Sequence, residues 1–310
     1  MSIRFIPTGR TAIAVALSLA FQSALATADD EAAIVVTATR MPTRVNELLS
    51  DVSVLGLEDI RQAGQSTLEQ LLARQPGIEF AANGSVGATS SVYIRGAESG
   101  HALVLIDGQR VGSATLGTLS WSRIPLAQIE RIEILRGPAS ALYGSDAIGG
   151  VIQIFTRRGS TGVQANAEAG LGSYGTRSAS AGLSGGGSGW RYSVNGTTLK
   201  TEGFSNIDNP KNKAYNRDRD GFRNDSVTAS VAYAPAKGDE VGLTLFQSEG
   251  TNQYDSGTSA STAAKDYENA LTVQSYAAYL KNAFSDRWSS TLRVGRTTDD
   301  STNYTNGVAS

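Results

Sequence analysis

The periodicity of the chain changes at Gly159, and that change limits what it can fold into more than any other feature. Upstream, Ile129 to Gly159 reads as strand, turn, short helix, glycine turn and strand. Ile129, Ile132, Ile134 and Leu135 alternate roughly with Glu130, Arg131, Glu133 and Arg136, which predicts a half-buried strand. Gly137-Pro138 ends it. Pro138 presets φ for the first position of a helix, Ala139 to Tyr143 favour helix, and Gly144 is placed to close the turn in the left-handed region. Gly149-Gly150 leads into Val151 to Phe155, a run of strand formers halted by Arg157-Arg158-Gly159. By pattern alone this is a strand–helix–strand corner of an α+β domain, with no catalytic group in it.

Downstream, helix signals vanish. Val163, Ala165, Ala167, Ala169 and Leu171 alternate with Gln164, Asn166, Glu168 and Gly170. Trp190, Tyr192 and Val194 alternate with Arg191, Ser193 and Asn195, and Val227, Ala229, Val231 and Tyr233 with Ser226, Thr228 and Ser230. Further runs lie near 240–249, 271–282 and 288–297, so about seven strands fall between 160 and 310. A lipid-facing wall and a water-soluble sandwich share this period with the faces reversed in meaning. Tyrosines and tryptophans near the strand ends favour the membrane.

The start of the chain supplies an address. Met1 to Ala26 reads as a secretory signal: Arg4 and Arg10, an apolar core from Ala12 to Phe21, and a small-residue cleavage site at Ala24-Leu25-Ala26. Cleavage there leaves 25 basic against 29 acidic residues, a net charge of −4 with no basic patch to suggest nucleic acid. With no cysteine and only His101, the chain has no disulfide framework, thiolate nucleophile or histidine cluster. There is no phosphate loop or nucleophile–base pair either, so an enzyme is the weakest reading. No later run of 18 apolar residues offers a transmembrane helix, which leaves a periplasmic protein, a secreted β-rich adhesion protein or a β-barrel.

Between the signal and the corner, Ala33-Ile34-Val35-Val36-Thr37-Ala38 is a strand-forming run in a polar arm, able to add to a partner sheet or to serve as a first strand. Residues 41–128 form an α/β module. Ser66-Thr67-Leu68-Glu69 reads as a capping box before the apolar helix face of Leu68, Leu71 and Leu72, and Pro76-Gly77 stops the helix. Ala102 to Ile106 is a buried strand, Asp107-Gly108 a hairpin turn and Arg110-Val111 the return. Asn83 to Ser91 and Gly112 to Trp121 read as loops.

One stretch carries coordination chemistry. Asn216-Arg217-Asp218-Arg219-Asp220-Gly221 sets three oxygen-bearing side chains two residues apart, a spacing that wraps a hard cation. Val227 stands where an EF-hand needs its bidentate glutamate, which rejects that motif. Asn252-Gln253-Tyr254-Asp255 and Asp266 supply further oxygens that can complete a six- or seven-oxygen shell from the next long loop.

The string LRGPASALYGSDAIGGVI, Leu135 to Ile152, closely resembles the end of the plug domain of TonB-dependent outer-membrane receptors. Ala33 to Ala38 is similar to that family's TonB box, and Arg95-Gly96 and Arg136-Gly137 to its IRG and LRG elements. The resemblance implies a signal peptide at 1–26, an N-terminal arm with the TonB box at 27–40, an α/β plug at 41–159, and at 160–310 the first strands of an antiparallel transmembrane β-barrel. The family's barrel has 22 strands, so the chain is expected to be a truncated fragment. It further implies TonB and outer-membrane lipid as partners, cargo contacts near Thr89, Ser91, Glu98, Leu116 and Ser256, and Arg95 and Arg136 latching the plug to barrel-wall glutamates. The cobalamin-transporting branch binds calcium on a similar arrangement. Carried over, the ligands are Asn216, Asp218, Asp220, Tyr254, Asp255 and Asp266, with Asp208 a looser candidate. Vitamin B12 is therefore the expected cargo and a siderophore or haem the alternative, with no catalytic cofactor in either case.

Overall fold

The computed structural model describes residues 34–35, 43–44, 50–64, 67–112, 119–207, 209–212, 215–255, 265–285 and 288–309. In the arm, β1 (Ile34–Val35) pairs antiparallel with β2 (Thr43–Arg44). The remainder of the expected TonB box, the signal, Ser66, Leu116, Asp208 and Ser256 lie outside the described residues.

The plug is built on β3 (Asp51–Leu55), α1 (Leu57–Gln62), α2 (Leu68–Leu72), the hairpin β4 (Ile78–Ala82) and β5 (Ser90–Ile94), then β6 (Ala102–Ile106) and β7 (Gln109–Arg110). The corner follows as β8 (Ile129–Arg136), α3 (Ser140–Tyr143) and β9 (Gly150–Thr156). One sheet orders these strands β3-β8-β9-β6-β7, with β6 and β9 parallel and the other pairs antiparallel. Strand β8 was expected half-buried, yet Ile132 to Arg136 are all buried, because β8 sits between β3 and β9 and is covered on both faces. Glu133, 0% exposed, tolerates this by taking the Arg131 Nε–H at 3.0 Å.

Three local expectations shift. Helix α2 takes Thr67 as its N-cap, with no side-chain cap bond, and Glu69 is buried. Burial pushes the Glu69 carboxyl above its usual range. Gly144 has positive φ (91°) but an extended ψ of −177°, a region open to glycine and outside the left-handed helical well. Ser90 and Ser91 belong to β5, so the loop narrows to 83–89, closed by the Asn83 N–H on the Thr89 carbonyl at 3.0 Å.

Past Gly159 the wall is a meander in chain order: β10 (Gly162–Leu171), β11 (Arg177–Gly187), β12 (Trp190–Thr201), β13 (Phe222–Tyr233), β14 (Glu240–Tyr254), β15 (Tyr267–Ser285), β16 (Trp288–Thr305) and the short β17 (Val308–Ala309). All neighbours are antiparallel, eight strands against the seven expected. The polarity of the alternation is resolved: Ser193, Asn195, Thr228 and Ser248 are buried against the plug, whereas Val163, Leu171, Val194 and Leu243 stand open. A soluble sandwich would do the opposite. An apolar sheet face this extensive is a membrane surface. No helix among the described residues is long and apolar enough to cross a membrane.

Candidate functional site

Among the described residues several groups of contacts join plug and wall, one of them centred on Arg123 and Gln128. The short turn Trp121–Arg123 and the residues leading into β8 carry Arg123 and Gln128, both buried. Gln128 donates to the Ser226 carbonyl at 3.0 Å and accepts from Ser226 Oγ at 2.8 Å. Arg123 donates to the Arg223 carbonyl at 3.0 Å, reaches Asn224 Oδ1 at 3.4 Å, and lies over the Phe222 ring at 4.9 Å. Burial holds its guanidinium down at about 10. Phe246, Leu271 and Val273 of the wall extend the same apolar core as Ile132, Ile134 and Ile152 of the plug. Sequence reasoning missed Arg123 and Gln128, which stand in no motif.

On the loop side, the segment between β12 and β13 and the one between β14 and β15 bring the predicted acids together. Asp218, Asp220 and Asp255 each place a carboxylate oxygen within 4.8 Å of the others. Asn216 Nδ2 donates to Asp218 Oδ2 at 2.8 Å and to Asp266 Oδ1 at 3.1 Å, tying the fourth acid to the group. Asp220 accepts the Asn206 N–H at 2.7 Å, and Asp255 accepts the Ile207 N–H at 3.1 Å. Burial pushes the Asp220 carboxyl up to about 6, with Asp255 and Asp218 adding to the rise and the Asn206 hydrogen bond opposing it. Asp218 is raised by burial, then by Asp255 and Asp266.

The donor set fits a hard cation. Asp218 Oδ1 is buried without a hydrogen-bond partner, and three carboxylates converge with no cationic side chain paired to them among the described residues. A cavity of about 350 Å³ opens beside them, lined by Asp218, Gln253, Asp266, Tyr267, Glu268 and Tyr304. Tyr254 is adjacent, but its ring packs on Tyr267 with centroids 5.6 Å apart and it is no member of the triad.

Of the expected cargo contacts, Thr89 and Glu98 are exposed and Ser91 is half-buried in β5. Ser91 lines a narrow cleft with Ser99 and Trp121, next to Glu98. Arg95 and Arg136 do not meet a wall carboxylate among the described residues; both share Asp51 of the plug itself, at the start of β3. Arg136 Nε donates to the Pro76 carbonyl at 2.7 Å and Nη1 to Ser53 Oγ at 2.9 Å. The reason is proximity: β3 pairs with β8 in a register that sets Asp51 opposite Arg136. Arg136 Nη2 stays buried without a partner among the described residues, beside a cavity of about 490 Å³.

A mixed-sheet plug seated on the polar face of an apolar-backed antiparallel meander defines a class: an outer-membrane β-barrel with its lumen occupied. The family profile of the TonB-dependent Receptor Plug Domain matches residues 44–151. The chain is 34% identical over 306 residues to the vitamin B12 transporter BtuB of Photobacterium profundum, covering 97% of this chain and 48% of that protein. It is 32% identical over 280 residues to the vitamin B12 transporter BtuB of Vibrio cholerae serotype O1, covering 90% and 45%. The crystal structure of the siderophore receptor PirA from Acinetobacter baumannii superposes with a TM-score of 0.57 at 21% identity, over 81% of this chain and 45% of that one, which speaks for the fold. Residues 44–151 are a TonB-dependent receptor plug domain, and over nearly its whole length the chain is similar to receptors of that family, proteins of the bacterial outer membrane. It spans about half the length of the curated relatives it matches.

Proposed function

We propose that this chain is the plug and first wall of a receptor that carries vitamin B12 across the outer membrane, energised by TonB acting on the arm at Ala33 to Ala38. The observation that carries the reading is the acid group built by Asp218, Asp220 and Asp255 from two separate loops on the side where cargo would enter. The relatives at 32–34% identity, named as vitamin B12 transporters, support the same cargo.

In this reading Asp218, Asp220 and Asp255 hold calcium, with Asn216 and Asp266 at the edge of the site. When bound, calcium supplies positive charge that offsets the mutual repulsion of the acids. The residues do the rest. Asn206 and Ile207 N–H groups orient the Asp220 and Asp255 carboxylates, so ordering the acids orders the loops that carry them. A cargo that meets preordered loops binds more tightly, since less entropy is lost on binding. Thr89, Ser91 and Glu98 of the plug, with Leu116 and Ser256, are the proposed cargo contacts. Arg95 and Arg136 hold the plug to itself through Asp51, and the unpartnered Arg136 Nη2 supports a second carboxylate from the wall, the latch of the sequence reading. No bond of the cargo is made or broken.

Equilibrium binding of cobalamin to the full-length protein, with calcium and with chelator, tests the reading. Binding that strengthens at least about tenfold with calcium is expected. No binding in either condition, or uptake of a ferric siderophore or haem in its place, would sink the cargo.

A further inference from the structure

The plug loop 83–89 and the acid-bearing loop of the wall are built into one another. The Ser85 N–H donates to Asn206 Oδ1 at 2.9 Å, and Ser85 Oγ donates to the Asp220 carbonyl at 3.0 Å. Asn206 turns its own N–H to Asp220 Oδ2 at 2.7 Å. One residue therefore bridges the plug and the acid group, its side chain facing the first and its main chain the second. Ser85 and Asp220 are buried, and Asp220 is 1% exposed.

Three glycines make the approach possible. A Cβ on Gly84 would collide with the Asn206 side chain, one on Gly87 with the Phe222 ring, and one on Gly203 with the Asp220 carbonyl. Contact this close at two points across the plug–wall boundary, with Gly203 letting the wall loop fold tightly under Asp220, is a fitted seat. Phe222 in turn lies under the Arg123 guanidinium of the plug, so the seat continues into the plug–wall interface.

From this seat we infer that the plug loop and the acid group form one two-state unit: a cation on Asp218, Asp220 and Asp255 favours the docked plug loop, and the docked loop favours the cation. The inference takes its ligand from the proposed function, while the contacts are independent of it. With the site empty, three like charges push the two loops apart. Movement of Asp220 carries Asn206 away from Ser85, because the two share a hydrogen bond. Linkage makes the effect reciprocal, so pulling the plug loop off Asn206 weakens the cation by the same factor. Plug displacement then loosens the cargo-side loops with no separate signal.

The chain has no cysteine, so a single nitroxide on Val86→Cys, with any cysteine elsewhere in the full-length protein replaced by serine, reports on the plug loop alone. In full-length protein in liposomes, calcium should slow the label. Asn206→Ala should abolish that response and weaken calcium binding, read by calorimetry, about three- to tenfold, the loss of one hydrogen bond. Gly84→Ala, which wedges the loop off Asn206 without touching an acid, should do the same, with heat-modifiable gel migration confirming that each variant folds. An undiminished label response, or calcium affinity within about twofold of wild type in both variants, overturns the inference. If the wild type binds no calcium, the cation reading fails by itself. Asp218→Asn in calcium-free buffer, which removes one of the three charges and leaves the Asn206 bonds in place, then decides the linkage: a slowed label supports it and an unchanged spectrum overturns it.

Discussion

The plug sheet and the barrel wall use the same strand periodicity to opposite ends. In β8 and β9 both faces are covered, and Ile132, Ile134, Ile152 and Ile154 are fully enclosed. In β12 and β13 the covered face is Ser193, Asn195, Ser226 and Thr228, and the open face is Val194, Val227 and Val231. Alternation states that a strand has two unlike faces; what is packed against them decides which one is buried. Here the neighbour is a plug that offers Gln128 and Arg123 as hydrogen-bonding groups, and polar wall residues meet them.

The comparison can be broken most violently in the plug. Ile134→Asp buries a carboxylate with no partner and should cost at least about 4 kcal/mol. Loss of plug protease resistance, with the wall still heat-modifiable, is the expected result. On the wall, Val194→Arg should cost about 2–4 kcal/mol if the site lies near the bilayer midplane, read as the folded fraction in lipid. An unchanged folded fraction would mean that this face is wet. At the seam, Gln128→Leu removes the bonds to Ser226 and should lower plug stability by about 1–3 kcal/mol in denaturant titration, with the wall transition unmoved.

The smallest effect concerns pH. The Asp220 carboxyl, raised to about 6 in the fold, binds its proton more tightly folded than unfolded. In calcium-free buffer its contribution to loop order is therefore full below about pH 4, the ordinary carboxylate value, and lost as pH rises through about 6. Proteolysis within 202–221 should quicken across that window, and calcium should flatten the dependence. A rate indifferent to pH would show that the crowded acids exert no strain on the loop.

What the sequence made legible was local. The corner from Ile129 to Thr156 and the Asp107-Gly108 turn follow from residues within a few positions of one another. The acids of two loops were legible as well, because their spacing carries the chemistry. The rest depends on pairs far apart in the chain. Asp51 reaches Arg136 across 85 positions and Asn206 reaches Ser85 across 121, and neither Asp51 nor Asn206 lies in a pattern that marks it. The extra wall strand escaped for a related reason: Arg177 to Gly187 is dominated by serine, glycine and alanine, too small to write a hydrophobic alternation.

Strand β3 lies at the margin of the plug sheet, and Asp51 is its first residue. A pull arriving from the arm would thus load a border strand, held by one ladder of five residue pairs to β8. The ionic tie from Asp51 to Arg95 and Arg136 stands at the very head of that ladder. Mechanically the plug has a seam as well as a core: tension is met first by a charged rivet at its rim, and the enclosed isoleucines behind it bear load only after the rivet gives.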